Sequence, residues 1–261
     1  MRVAGVGFCC IDVYENLDRL YPTGNSVDFV IHMSRLGADA SMVSVVGGDP
    51  YGVLMLDKLR EERIDVTHMH TQEEGQTAIF RMDLNGNDRV HKEKVEGVMG
   101  DFALSEGDLQ FILQHQAIHT NLSGRIDHHL ADLRSQGVQI IYDFSTRKKR
   151  EIAGPILPHT DYAFFSYEQE DDEMEGFIRW AHAQGPRVVV VTLGEQGSVA
   201  YDGEKFYREG IVSAEVVNTV GAGDSFCAGF MYGQLSGWTI QESLKQGAKT
   251  AVEVVSKFEP Y

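Results

Sequence analysis

Apolar positions along this chain fall into short continuous runs, each closed by Gly, Asp or Ser and followed by a segment with helical spacing. Such runs suit strands buried on both faces, whereas half-exposed strands alternate. Arg2–Phe8 reads as a strand and Ser26–Leu36 as an amphipathic helix. Ser41–Val46 is a second strand, followed by a helix over Gly52–Arg63 with Val53, Leu56 and Leu59 as its apolar stripe. Gln139–Phe144 and Arg187–Leu193 are β-branched, apolar runs, and helical patterns at Leu109–His115, His128–Gln136 and Asp172–Gln184 alternate with them. The alternation predicts an α/β fold with a mostly parallel central sheet covered by helices on both faces.

Thr77–Val95 departs from this rhythm. "TAIFRMDLNGNDRV" alternates and carries an Asn-Gly turn, which predicts a β-hairpin and hence a lid or interface sheet outside the core. The acidic run Glu168–Glu175, "EQEDDEME", reads as a solvated helix start favoured by the helix dipole.

Length and charge narrow the function classes. With 261 residues the chain suits one large domain. A net charge of −16 argues against a nucleic-acid partner, because phosphate backbones need an electropositive face. Nucleotides stay open, since backbone N–H groups and a few local cations can hold a phosphate. Cys9, Cys10 and Cys227 form neither a disulfide framework nor a CxxC pair and read as small buried hydrophobes. Asp12 interrupts the first apolar run too early for a signal peptide, and no run reaches the ~20 apolar residues of a membrane span. The expectation is a soluble, reduced, cytoplasmic protein.

Several chemistries are excluded by motif. There is no GxxxxGK[ST] loop, no completed GxGxxG, no HExxH and no GxSxG. His68–His70 and His128–His129 are isolated pairs and read as surface residues rather than zinc ligands. What remains is "VGAGDSFCAGF", where Gly221, Ala222 and Gly223 precede Asp224 and the stripe Ala222, Phe226, Phe230 predicts a buried helix. The first N–H groups of a helix lack intrahelical partners and carry partial positive charge, and glycines let an oxyanion approach them. An Asp in that first turn is held ionised, ready to accept a proton. Alone, the tetrapeptide reads equally as a tight turn with a helix-start acid.

"NTVGAGDSFCAGF" resembles the C-terminal signature of the ribokinase (PfkB-type) family of carbohydrate kinases. The resemblance implies that Gly221, Ala222 and Gly223 form an anion hole and that Asp224 activates the sugar hydroxyl. "TLGEQGSV" resembles the family's nucleotide-side strand and turn, implicating Thr192, Gly194 and Gly197 in ATP binding. "VVGGDPYG", "CIDVY" and "PTGNSVD" follow the family's order, which implies that Asp12, Gly24 and Asn25 contact the sugar. The implied fold is a ribokinase-like three-layer sandwich, one domain over 1–261 with a small β lid from about 10–25 and 75–98. "NDRVHKEKVEGVMGDFALSEGDL" and "YDFS" resemble the fructoselysine 6-kinase subgroup, which phosphorylates the 6-hydroxyl of fructosamines. Arg89 then stands on the lid within reach of the sugar, or is an exposed strand-end cation.

Departures from the family pattern matter too. Asn218 replaces a common Asp associated with a monovalent cation, which puts potassium activation in doubt. Asp28 replaces a sugar-contacting Asn, and is either suited to a cationic amine or a solvent-facing helix residue. The family's Asn-x-x-Glu magnesium motif is degraded to "SYEQ", with Glu170 next door as a substitute. "DFSTRKKR" echoes an Asp-x-Asn-x-Arg pattern that turns Arg147 toward nucleotide phosphates. The resulting expectation is a sugar kinase using ATP and Mg2+, acting as a homodimer. The alternatives are a fructokinase or other ketose or nucleoside kinase, or a catalytically silent sugar-binding module.

Overall fold

The computed structural model describes residues 1–85, 88–213 and 218–261, the side chains of residues 85, 88 and 89 excepted. The N-terminal half runs β1 (Arg2–Val6), β2 (Cys10–Tyr14), β3 (Arg19–Thr23), α1 (Asn25–Arg35), β4 (Asp39–Gly47), α2 (Pro50–Glu61), β5 (Asp65–Gln72), β6 (Ile79–Asn85) and β7 (Asp88–Val95). It continues through α3 (Glu106–Ile112), β8 (Ala117–Asn121), α4 (Leu130–Ser135), β9 (Gln139–Asp143), α5 (Arg150–Ala153) and β10 (Tyr162–Ser166). The last third is α6 (Met174–Ala183), β11 (Val188–Thr192), β12 (Ser198–Tyr201), β13 (Phe206–Glu209), α7 (Ala222–Leu235) and α8 (Ile240–Val255).

Nine strands form one sheet in the order β13-β12-β11-β10-β9-β8-β1-β4-β5. The neighbours from β11 to β5 pair parallel, and β12 and β13 extend that edge antiparallel. Four of the five residues of β11 are buried valines, as a strand covered on both faces requires. Helix α1 lies on β1, β4 and β8, and α7 packs between α1 and α8. Helices α2, α4 and α6 contact β4 and β5, β9, and β11 and β12 respectively. The α/β architecture read from the sequence is therefore present.

A second sheet, β3-β2-β6-β7, contains the expected hairpin: β6 and β7 pair antiparallel, with a register shift between Arg81 and Met82. Its link to the large sheet is fixed by Asp49, the N-cap of α2. That carboxylate accepts from Gly52 N (2.8 Å), Thr77 N (2.9 Å) and Thr77 Oγ1 (2.6 Å), tying the "GGDPYG" turn to the strand entering the small sheet.

Some details differ from the sequence pattern. Val53 is 57% exposed, because α2 turns Gly52, Met55 and Leu59 inward instead. The helix expected at Leu109 starts at Glu106, where Ser105 and Asp108 form a capping box. The acidic run mostly precedes α6, and Glu170 and Glu175 pair with Arg208 of β13. All three cysteines are buried and free.

Candidate active site

Parallel strands in an open α/β sheet gather the groups at their carboxyl ends beside the crevice that faces them. Here β8 ends in Asn121, β9 in Asp143 and β10 in Ser166, and the small sheet stands opposite. Between them lies a cleft of about 330 Å³ whose lining includes Asp12, Asp28, Asp143, Ser166 and Asp224. A larger recess of about 520 Å³, lined by Lys148, Tyr167 and Asp171 among others, contains none of the residues that converge on Asp224.

Asp224 sits in the first turn of α7, whose N-cap Gly221 adopts φ +74°. Any side chain at 221 would meet Pro260, with Cβ 2.5 Å from the proline Cβ, so the left-handed turn and the close approach both demand glycine. Gly223 is different: a Cβ there meets nothing within 4 Å, and the residue lines the cleft, leaving open space at the helix N-terminus. That is the shape an oxyanion needs. The N–H of Ala222 donates to Thr219 O at 3.3 Å.

Asn25 opens α1, directly after Gly24, which at φ +133° brings its backbone onto Phe8 O. Its amide joins the two aspartates. Nδ2 donates to Asp224 Oδ1 at 2.9 Å and to Asp143 Oδ2 at 3.0 Å, while Asn121 Nδ2 donates to Asn25 Oδ1 at 2.8 Å. One side chain thus links residues from α1, α7 and the ends of β8 and β9. Asn121 and Asp143 are the members that sequence reasoning did not single out as site residues. The available signal was a carboxylate at the end of a predicted parallel strand.

The electrostatics follow from burial. Burial pushes the Asp143 carboxyl up to about 6, against hydrogen bonds from Ser145 N and Asn25 that favour its charged form. Burial, followed by the charge of Asp224 and, more weakly, Asp12, pushes Asp28 well above the usual carboxylate range, against the hydrogen bond from Thr23 Oγ1 (2.8 Å). Asp28 is 2% exposed and its Oδ1 has no hydrogen-bond partner among the described residues. Burial raises the Cys10 and Cys227 thiols, so neither serves as a thiolate nucleophile.

The remaining sequence-selected residues are placed as follows. Asp12 on β2 and Gly24 both line the cleft. Thr192 ends β11, with its hydroxyl 3.2 Å from that of Ser166. Gly194 and Gly197 bracket the turn into β12 at φ +55° and +90°. Glu170 is bound by Arg208 through both carboxylate oxygens at 2.8 and 3.0 Å, away from the cleft lining. Arg147 is exposed, and its backbone N–H donates to Phe144 O. The backbone of Arg89 pairs with Leu84, and its side chain lies outside the described residues.

Residues 258–261 buttress the glycine loop from behind. Asn218 Nδ2 donates to Phe258 O at 2.7 Å, and Asn218 Oδ1 accepts from Val220 N at 3.1 Å. Pro260 O contacts His32 Nε2 at 2.9 Å, and Tyr261 OH donates to Pro22 O at 2.8 Å. The same segment therefore touches the glycine loop, α1 and the small sheet.

Comparison with known proteins places the chain in a family. The chain is 35% identical over 253 residues to fructoselysine 6-kinase of Escherichia coli, covering 97% of each. It is 31% identical over 258 residues to fructosamine kinase FrlD of Bacillus subtilis, covering 97% of this chain and 90% of that one. Its fold matches that of Arabidopsis thaliana ribokinase complexed with ribose and ATP, with a TM-score of 0.86 and 18% identity over 99% of this chain and 93% of that one. The model of the pfkB family carbohydrate kinases matches residues 19–261. The chain belongs to that family and is an ATP-dependent carbohydrate kinase with the ribokinase-like fold.

Proposed function

We propose that the protein transfers the γ-phosphoryl group of ATP to the 6-hydroxyl of a fructosamine such as fructoselysine. The observation that carries the substrate reading is the sign of the cleft. Asp12, Asp28, Asp143 and Asp224 line it, and no Lys or Arg does so among the described residues. A neutral ketose gains nothing from that field. The ammonium of a fructosamine does: opposite unit charges 4 Å apart attract by about 4 kcal/mol at an effective dielectric of 20. An ammonium beside Asp28 also restores the carboxylate form that burial disfavours.

Asp224 takes the 6-hydroxyl proton as that oxygen attacks phosphorus, and Asn25 keeps the carboxylate aimed at it. The N-terminus of α7, open over Gly223, faces the transferring group and stabilises its charge. Asp12 and Gly24 bound the sugar from the small sheet and the start of α1. The carboxylates that line the cleft suit magnesium, which would come bound to the nucleotide phosphates and would supply charge balance that the acidic lining does not. The small sheet closes as the lid of a single kinase domain and limits phosphoryl transfer to water. Leu17, Leu20 and Val90, each more than 40% exposed on the small sheet and its connecting turn, support pairing of two lids in a cytoplasmic homodimer. Sedimentation at the monomer mass would overturn that pairing.

The test is ADP release with equal concentrations of fructosamines of several amino acids, fructose and adenosine, with the product's phosphorylated position read by NMR. The highest kcat/KM is expected on a fructosamine, giving its 6-phosphate. Equal or better use of fructose or adenosine overturns the substrate reading.

A further inference from the structure

The edge strand of the large sheet carries chemistry that phosphoryl transfer does not use. His68 and His70, two residues apart on β5, project to the same side of the strand, and both reach Asp108 of α3. His68 Nδ1 lies 2.7 Å from Asp108 Oδ1, and His70 Nε2 lies 2.9 and 3.0 Å from Oδ1 and Oδ2. One ligand atom from each residue lies within 4.8 Å of those of the other two. From this arrangement we infer a divalent transition-metal site, formed by His68 Nδ1, His70 Nε2 and Asp108, that clips the sheet edge to α3.

The donors are held in place before any ion arrives. The His68 ring stacks on Phe111 at 4.0 Å and 17°. Ser105 N and Oγ donate to Asp108 Oδ2 at 2.9 and 2.7 Å, fixing the carboxylate plane. A neutral imidazole offers a lone pair at the required nitrogen when its proton sits on the other one. Donors about 2.1 Å from a tetrahedral ion stand about 3.4 Å apart, so the two His–Asp contacts need to open by well under an ångström and the two imidazole nitrogens, within 4.8 Å of each other, need to settle at the same spacing. The His70 side chain is 48% exposed, which gives it room to shift and gives the ion a path from solvent.

Two imidazoles and one carboxylate suit Zn2+, Co2+ or Ni2+ rather than Mg2+, which prefers oxygen and keeps its waters. None of the three residues lines the cleft at Asp224, so this ion is distinct from the one that travels with the nucleotide. Three protein ligands leave the remaining positions to water.

The test uses the full chain stripped with a chelator and then titrated with Co2+, followed by visible absorption, and with Zn2+, followed by calorimetry. One ion per chain is expected, with Zn2+ raising Tm. H70A should weaken binding on the order of tenfold or more and abolish the Tm rise. H70Q keeps a hydrogen-bond donor for Asp108 without an imidazole, so it should behave like H70A even if H70A folds poorly. H129A, in the other histidine pair, should bind as the parent does. Mg2+-supported turnover of H70Q should match the parent. Absence of saturable binding, or equal affinity in H70Q and the parent, overturns the site.

Discussion

Replacing Asn25 with Ala is the sharpest test of how the proposed base is positioned. The substitution removes an amide that donates to Asp224 Oδ1 at 2.9 Å and to Asp143 Oδ2 at 3.0 Å, and it strips Asn121 of its acceptor. Hydrogen bonds to charged groups are worth about 1.5–3 kcal/mol each, and water entering a half-open cleft recovers part of that. A stability loss of about 2 kcal/mol is therefore expected. The larger effect is on the reaction, because a base displaced by an ångström costs about a hundredfold in rate. Losing the donor also disfavours charged Asp143, whose carboxyl burial already pushes up to about 6, so an acid limb in the rate profile moves to higher pH. The assay is coupled ADP release at saturating ATP with the best substrate of the panel, giving kcat and KM separately across pH. A positioning role lowers kcat by about a hundredfold with a smaller change in KM; a pure sugar contact raises KM and spares kcat. A variant with kcat within about threefold of the parent and only KM raised would refute the positioning argument.

Four further outcomes are expected. Asp224→Asn should lower kcat by about a hundred- to ten-thousandfold while nucleotide binding, followed by calorimetry, persists. Gly223→Val should be similarly inactive while folding normally, since the added atoms enter open space that the phosphoryl group needs; near-normal kcat would show that the space is not used. Asp28→Asn should lower kcat/KM for the fructosamine far more than for fructose, and equal losses on both would remove the ammonium contact. Burial holds His32 at about 4 and His119 at about 3, below the usual 6.5, so their contribution is fully present above pH 6.5 and is lost as pH falls toward those values. Each accounts for about 1.4 kcal/mol per pH unit in that window. Asp143, raised to about 6, stabilises in the opposite sense as pH falls, so the observable is a difference between proteins. His32→Gln should show a shallower loss of Tm between pH 6.5 and 4 than the parent, and parallel curves would contradict the buried-neutral assignment.

What was legible in the sequence was whatever a contiguous stretch of backbone can build. The valine run of β11 needs only its own residues to declare a strand buried on both faces, and Gly221–Asp224 writes its turn and helix start in four consecutive positions. The same holds for the β6–β7 hairpin, where alternation announces the two strands, while the expected Asn-Gly turn runs into positions outside the described residues. Strand β8, "AIHTN", is fully buried yet mixes apolar and polar residues, so no periodicity marked it. Its polar members are there because its carboxyl end supplies Asn121 to the cleft and its middle supplies His119 to Ser26. The Asn25 network joins positions 96, 118 and 199 residues apart, and Asp108 meets the histidines of β5 from 38 and 40 residues away. No spacing rule encodes such contacts; they exist only once parallel crossovers bring strand ends together. Glu170 shows the converse, because its position beside a degraded motif suggested a metal while Arg208, brought over by β13, holds both its oxygens. The proposed anion hole could be named from one segment because a phosphate there would be gripped by neighbouring amides. A base has to be aimed by groups that only the fold assembles, and for that reason the glycine loop was readable while the residues holding Asp224 were not.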